Sequence, residues 1–423
     1  MTIEDRSQER IDQDELRNLL RELSQLLMSW SWEGVVGYEE IVSGVARTYG
    51  YEDVTVAMDA QMAIIELAGE VSVVKTELPG VPPLAYTQEL KCLLADIFDR
   101  KLSVEDARAA IRDLADKKPP RSNFVVWLGA ITLAVGLAIE CVGTWEGIFF
   151  GAVTATLTGL CFVLASQNEG FAKIGPLVGT FASGAVVMIA YNFGWTMASP
   201  GLLLIPATFV FIPGDSISVQ AYELAEGRWS AGVQRFFYSL MVLVLMVIGG
   251  FFATVVTGTP VAELFPGEPA DLFPWWATYI GRAIILAGIM LAFHMTMQQF
   301  WRALAVLWAV TVVGQVTAGL WGSFAGTLMA TTFGMALSLC IARHARSIPT
   351  FVLMVPVVFA LSPGTHGLRQ LETWVSGQQI NGVNDLWTLG GVLLSIGIGM
   401  VLGRVIAGRW HWMANWPKLA GQN

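Results

Sequence analysis

Apolar positions change their rhythm at one place in this chain. Up to residue 122 they recur at helical or alternating spacing among many charges. From Phe124 onward they come in runs long enough to cross a bilayer. In the first stretch Leu16, Leu19, Leu20, Leu23, Leu26 and Leu27 predict an amphipathic helix over residues 12–30, and a second helix runs from Tyr38 to Tyr49, stopped by Gly50. Val54–Met58, Met62–Glu66 and Val71–Val74 are short β-prone runs between turn residues. Thr87–Lys101 and Ser103–Ala115 read as helices, the second opened by the capping pattern Ser103-Val-Glu-Asp106. Residues 1–122 are thus expected to form a small α/β domain, joined to the apolar remainder of the chain through the stiff basic hinge Lys117-Lys-Pro-Pro-Arg121.

Ten apolar spans are expected, near 124–143, 145–167, 174–192, 200–213, 235–257, 274–293, 300–318, 322–342, 348–362 and 386–408. The fourth and ninth are short and carry two prolines each. They also lie in a gapless repeat: Leu203-Leu-Ile-Pro206-Ala-Thr-Phe209-Val-Phe-Ile-Pro213-Gly214 aligns with Leu353-Met-Val-Pro356-Val-Val-Phe359-Ala-Leu-Ser-Pro363-Gly364 at a separation of 150. Gln220/Gln370, Gly227/Gly377, Gly232-Val233/Gly382-Val383 and Gly249/Gly399 continue it. Each copy holds five spans, and five is odd, so the copies enter the membrane from opposite faces. The fold class expected is a polytopic α-helical membrane protein with ten transmembrane helices as two inverted five-span repeats, 123–260 and 261–423, behind the α/β domain. That is the architecture of many secondary transporters.

A helix broken by proline frees backbone groups, tolerable at membrane depth only where they line a cavity or are buried in protein. Paired broken segments therefore point to a substrate site built from Pro206, Pro213, Gly214, Pro356, Pro363, Gly364 and Thr365. A helix starting after each Pro-Gly would aim its positive end at the cavity, suited to a carboxylate.

Charge adds orientation. The formal net charge of −9 belongs wholly to residues 1–122, while the remainder is neutral, so neither part is built to bind nucleic acid. With the N-terminus in the cytosol, Lys117, Lys118, Arg121, Lys173, Arg228, Arg235, Arg302, Arg343, Arg346, Arg404, Arg409 and Lys418 fall on inside connections, and only Arg369 outside. The positive-inside bias places both termini in the cytoplasm of a plasma or inner membrane. Met1–Arg21 lacks the apolar core of a signal peptide. The soluble segment holds one of the four cysteines and no histidine, which excludes a dyad or zinc motif built inside it. Gly34–Gly37 with Glu39 and Glu40 reads as a helix start with a solvated acidic face. No Walker A pattern occurs, no cofactor is expected, and catalysis is not.

Pro213-Gly214 followed by Glu223, Gly227 and Gly232-Val-Gln-Arg235 resembles the threonine/serine exporter family, in which a Pro-Gly is followed nine residues on by an acid and then by G-x-x-R. Ala221-Tyr-Glu-Leu224 is similar to the family's eukaryotic-like branch. Gly37-Tyr-Glu-Glu40 and Leu102–Ala107 resemble its N-terminal domain. One departure is Val219, beside Gln220, where many members carry Asn. The resemblance spans nearly the whole chain as two tandem modules and implies proton-driven export of small hydroxy amino acids.

Proton-coupling candidates are Asp215, Glu223 and His366, each against a plainer alternative: a helix cap, a solvated surface position and a loop bystander. Glu140 and Arg282 are ionisable groups inside apolar runs, expected to pair across the repeats as a gate or a structural lock. Expected partners are an amino-acid substrate, protons and the lipid bilayer, with a homo-oligomer left open. A carrier of another small organic acid, a channel, and a membrane sensor with a ligand-reading cytosolic domain are the competing readings.

Overall fold

The computed structural model describes residues 13–30, 34–59, 61–75, 83–264, 273–344, 348–361 and 379–409. The soluble part comprises α1 (Gln13–Trp30), α2 (Gly34–Thr48), strands β1 (Val54–Met58), β2 (Met62–Leu67) and β3 (Glu70–Lys75), then α3 (Leu84–Phe98) and α4 (Val104–Ala115). The strands form an antiparallel sheet in order β1-β2-β3, with Ile65 opposite both Val56 and Ser72. Ile65, Leu67 and Val74 turn inward onto the leucine stripe of α1, Tyr38 and Val42 of α2, Ile97 of α3 and Ile111 of α4. Ser103 caps α4 by accepting from the Asp106 amide at 3.0 Å. Asp106, one methylene shorter than the usual Glu, takes the Ser103 hydroxyl at 2.7 Å.

Glu22 of α1 joins α4 through Arg108 and Arg112, at 2.8 and 2.6 Å. Burial pushes its carboxyl up, but the bonds and charges of Arg108 and Arg112 outweigh this and hold it below the ordinary carboxylate range. A depressed value means stability present above the unfolded pKa and lost as pH falls through the folded one. Glu22→Gln is therefore expected to destabilise the α1–α4 pairing by about 1 kcal/mol near neutrality. Hydrogen exchange in α1 and α4 should show that difference vanish in strong acid.

The membrane part continues as α5 (Asn123–Cys141), α6 (Trp145–Gln167), α7 (Glu169–Asn192), α8 (Pro200–Thr208), α9 (Gly214–Ala225), α10 (Trp229–Thr257), α11 (Ala277–Ala292), α12 (Met297–Trp321), α13 (Ser323–His344), α14 (Thr350–Leu361) and α15 (Gln379–Arg409). Among the described residues seven helices are long and apolar enough to cross a membrane: α5, α6, α7, α10, α12, α13 and the Gly390–Gly408 part of α15. The other three expected spans take another form. The fourth is a pair bent by 74° between Pro200–Phe211 and Ser216–Ala225, and α11 and α14 are shorter apolar helices. The twelve residues of α14 reach about 18 Å, little more than half of a hydrocarbon core of about 30 Å.

Helices α11, α12, α13, α14 and α15 start 150 to 154 residues after α5, α6, α7, α8 and α10 respectively. Close packing repeats as well. A methyl group on Gly249 of α10 would land on the Leu177 carbonyl of α7, and one on Gly399 of α15 would sit 2.8 Å from the Leu328 carbonyl of α13. Trp145 and Trp275 are largely exposed at helix ends, where indole rings suit an interface.

The soluble part is bonded to the membrane part. The Leu84 and Ala85 amides, which a free α3 would leave unpaired at its first turn, donate to the carbonyls of Phe293 and His294 at 2.9 and 3.1 Å. Gln299 returns a bond to the Leu84 carbonyl at 3.0 Å, and Arg121 donates to that of Met295 at 2.7 Å. Helix α3 accordingly begins at Leu84, three residues before the sequence pattern places it. His294 turns the chain at φ 58 and lies buried beside Arg121, which together push its imidazole down to about 4 and keep it neutral.

Candidate functional site

The site lies where two proline-containing elements meet, the bent α8–α9 pair and α14. Pro206 lies inside α8, which tightens into a 3-10 turn at Phe209–Phe211 before Pro213 caps α9. Helix α9 is buried from Ser216 to Glu223, so the polar stretch after the Pro-Gly faces protein rather than solvent. Pro356 lies inside α14, whose residues Val352–Ala360 are likewise buried. The elements meet ring to ring: Phe209 and Phe359 pack edge-on with centroids 5.4 Å apart, and Phe359 extends this through Phe293 and Phe162 to Phe211. The sequence reading puts substrate at the prolines themselves, whereas this junction is aromatic.

The space lies one to two turns nearer the soluble part. A cavity of about 190 Å³ is walled by Ser218, Val219 and Tyr222 of α9, by Thr350, Met354 and Val358 of α14, and by α13 and α15. Glu40 and Lys91 of the soluble part also line it, with Arg343 and Arg404. Pro206, Pro213, Gly214 and Pro356 do not. Asp215 occupies the second position of α9. Pro363, Gly364, Thr365 and His366 lie outside the described residues.

Glu223 is wholly buried, which overturns a solvated surface position. Its carboxylate accepts from Arg235 Nε at 3.1 and 3.3 Å and from the Val35 amide, at the start of α2, at 3.2 Å. Gly34 permits this approach: at φ +68, its added Cβ would stand 3.3 Å from the Glu223 carboxylate. The buried carboxyl group thus sits between an arginine and a helix N-terminus, both of which favour negative charge against the cost of burial. Arg235, counted from sequence as an interfacial cation, is a buried partner instead.

Glu40 is exposed, as its sequence suggests, while Glu39 is largely covered, and each has a basic partner. Glu39 pairs with Arg228, and Glu40 with Arg404 at 2.6 Å. Arg404 also donates to the Tyr222 hydroxyl. Toward the opposite face, Arg282 of α11 holds Glu140 of α5 at 2.8 and 3.0 Å and donates to Thr311 of α12 at 2.6 Å.

Tyr222 as a cavity residue and the pairing of Glu223 with Arg235 and of Glu40 with Arg404 are not anticipated by the sequence. Arg404 had a signal: it stands inside an apolar run as Arg282 does. The contacts of Val35, Glu39 and Glu40 had none, since they join segments almost two hundred residues or more apart.

Residues 23–257 match the family model ThrE, described as "Putative threonine/serine exporter". The chain belongs to this family. The match runs over just more than half of the chain, through the soluble part and α5–α10, and ends where α10 ends. No curated protein and no solved structure matches the chain. As a member of the threonine/serine exporter family it is an integral, multi-pass membrane protein of a transporter family, acting on a small molecule across a lipid bilayer.

Proposed function

We propose that this chain exports small hydroxy amino acids, threonine or serine, in exchange for protons. The observation that carries this reading, within the family, is the cavity walled by α9, which follows the bend after Phe211, and by the proline-containing α14. Paired broken helices at equivalent positions are where secondary transporters hold substrate. In this reading Glu223 and Asp215 carry the coupling proton on one side and His366 is a further titratable candidate.

The proposed frame is ten spans in two inverted repeats of five. In its support, α14 starts at the soluble face, where Lys91 donates to the Ile348 carbonyl, whereas α8 starts beside Leu264 at the opposite face. Phe209 and Phe359, equivalent by the 150-residue offset, touch each other, as residues on a two-fold axis do. The basic residues gather on the soluble side, so that side is assigned to the cytoplasm, with both termini. Glu140–Arg282 is assigned as a lock on the outer side. Neutralising either partner is expected to impair transport, and the double exchange Glu140→Arg with Arg282→Glu to restore much of it; a swap no better than the single variants would remove the pair from the mechanism.

The test is uptake of labelled threonine and serine into proteoliposomes with and without an imposed pH gradient. Gradient-dependent accumulation, lost in Glu223→Gln, is the expected result. Passive equilibration would make the protein a uniporter or channel, and no flux in a folded preparation would refute the substrate.

A further inference from the structure

The cavity has walls from three sources, and one is the soluble domain. Glu40 comes from α2, Tyr222 from α9 and Arg404 from α15. Arg404 uses one terminal nitrogen on Glu40 and the other on the Tyr222 hydroxyl, so the three form a connected polar strip. Glu40 is about half exposed and Arg404 about one-third, so both reach the open volume while bonded to each other. Tyr222, accepting from Arg404, keeps its own proton to donate.

A carboxylate beside a guanidinium is the mirror of an α-amino acid's charges. A zwitterion laid along the strip sets its ammonium against Glu40 and its carboxylate against Arg404 and Tyr222. Lys91 and Arg343 add positive charge to the lining, which favours the carboxylate end. Beyond the strip the wall is apolar at Met335, Met354 and Val358, with hydroxyls at Ser218 and Thr350, surroundings suited to a short side chain bearing a methyl and a hydroxyl. The volume suffices: an engineered cavity of about 150 Å³ admits benzene, and this one holds about 190 Å³.

We propose that the N-terminal domain supplies part of the substrate site: Glu40 binds the substrate's ammonium while Arg404 and Tyr222 bind its carboxylate, giving a site for zwitterionic α-amino acids. This rests on the exporter reading above and adds the recognition chemistry and the domain that provides it. The domain is then a component of the binding site.

The experiment measures binding of threonine, N-acetylthreonine (no ammonium) and threonine amide (no carboxylate) to the full-length purified protein by calorimetry, alongside proteoliposome flux. Wild type is expected to prefer threonine over either analogue by at least tenfold. Glu40→Gln should weaken threonine about tenfold and leave N-acetylthreonine unchanged, erasing the preference between them. Arg404→Lys should weaken threonine more than it weakens the amide. Glu39→Gln, which breaks the neighbouring Arg228 pair without touching the cavity, serves as the docking control and should preserve analogue discrimination. Glu40→Gln that weakens all three ligands equally, or none, would overturn the proposal while wild-type flux leaves the exporter reading standing. Wild type that neither binds nor moves threonine or serine would overturn both.

Discussion

Arg235→Leu is expected to abolish gradient-driven accumulation and to lower stability by about 3–5 kcal/mol, the range for removing one partner of a buried ion pair. Glu223 is wholly buried and its only charged partner among the described contacts is Arg235. With Arg235 gone, the carboxylate keeps the Val35 amide but loses its counter-charge, so it must either stay ionised at great cost or take up a proton. Glu223→Gln keeps an amide oxygen for the Val35 and Arg235 donors but leaves the buried Arg235 guanidinium, which cannot lose its proton, without a counter-charge, so a loss on the same scale is expected. Both variants are therefore expected to lower the unfolding temperature and to abolish coupled transport, since neither presents a carboxylate that exchanges its proton beside Arg235. Arg235→Leu with an unfolding temperature equal to that of wild type would show that the pair holds nothing together.

Gly249→Ala and Gly399→Ala are each expected to lose about 1–3 kcal/mol, the usual range for overpacking, and more where backbones cannot part. The obstruction is main chain in both copies: the Leu177 carbonyl of α7 for Gly249, the Leu328 carbonyl of α13 for Gly399. At Gly399 the Thr331 hydroxyl, itself bonded to the Thr327 and Ser395 carbonyls, stands in the way too. Unlike a flexible side-chain tip, a helical carbonyl cannot rotate aside, so the added methyl moves a whole helix. Gly390→Ala, at a position with nothing within 4 Å, is the neutral comparison. Equal expression and thermal stability across the three variants would mean that the helices are not packed as described.

Much of this frame was legible in the sequence because its causes are local or periodic. The leucine stripe of α1 forms the face that the core needs, and the length of each apolar run marks most spans. Gly249 and Gly399, 150 residues apart, each leave no room for a methyl group against a neighbouring helix. The Glu140–Arg282 contact could be anticipated because an ionisable group in an apolar run needs a counter-charge, and these two were the obvious supply.

What sequence could not carry is the docking. The start of α3 at Leu84 depends on carbonyl acceptors more than two hundred residues away, and nothing near Glu39 and Glu40 in the sequence announces their partners Arg228 and Arg404. The prolines point to α14 and to the bend leading into α9, and both helices wall the cavity, but Pro206, Pro213 and Pro356 themselves do not line it. A broken helix can bury its freed groups in protein as readily as expose them to a ligand, and aromatic packing took the first course at Phe209 and Phe359.

The bonds from Val35 to Glu223, and from Leu84 and Ala85 to the turn at Phe293–His294, fasten one small domain to both sets of membrane helices. Displacement of one set past the other by a single helical turn, about 5.4 Å, stretches one group of these bonds beyond hydrogen-bonding range. Amide exchange at those three backbone positions is therefore an odometer for the transport cycle. A protein held in one conformation keeps its deuterons out at all three, and each turnover leaves its mark at whichever footing had to let go.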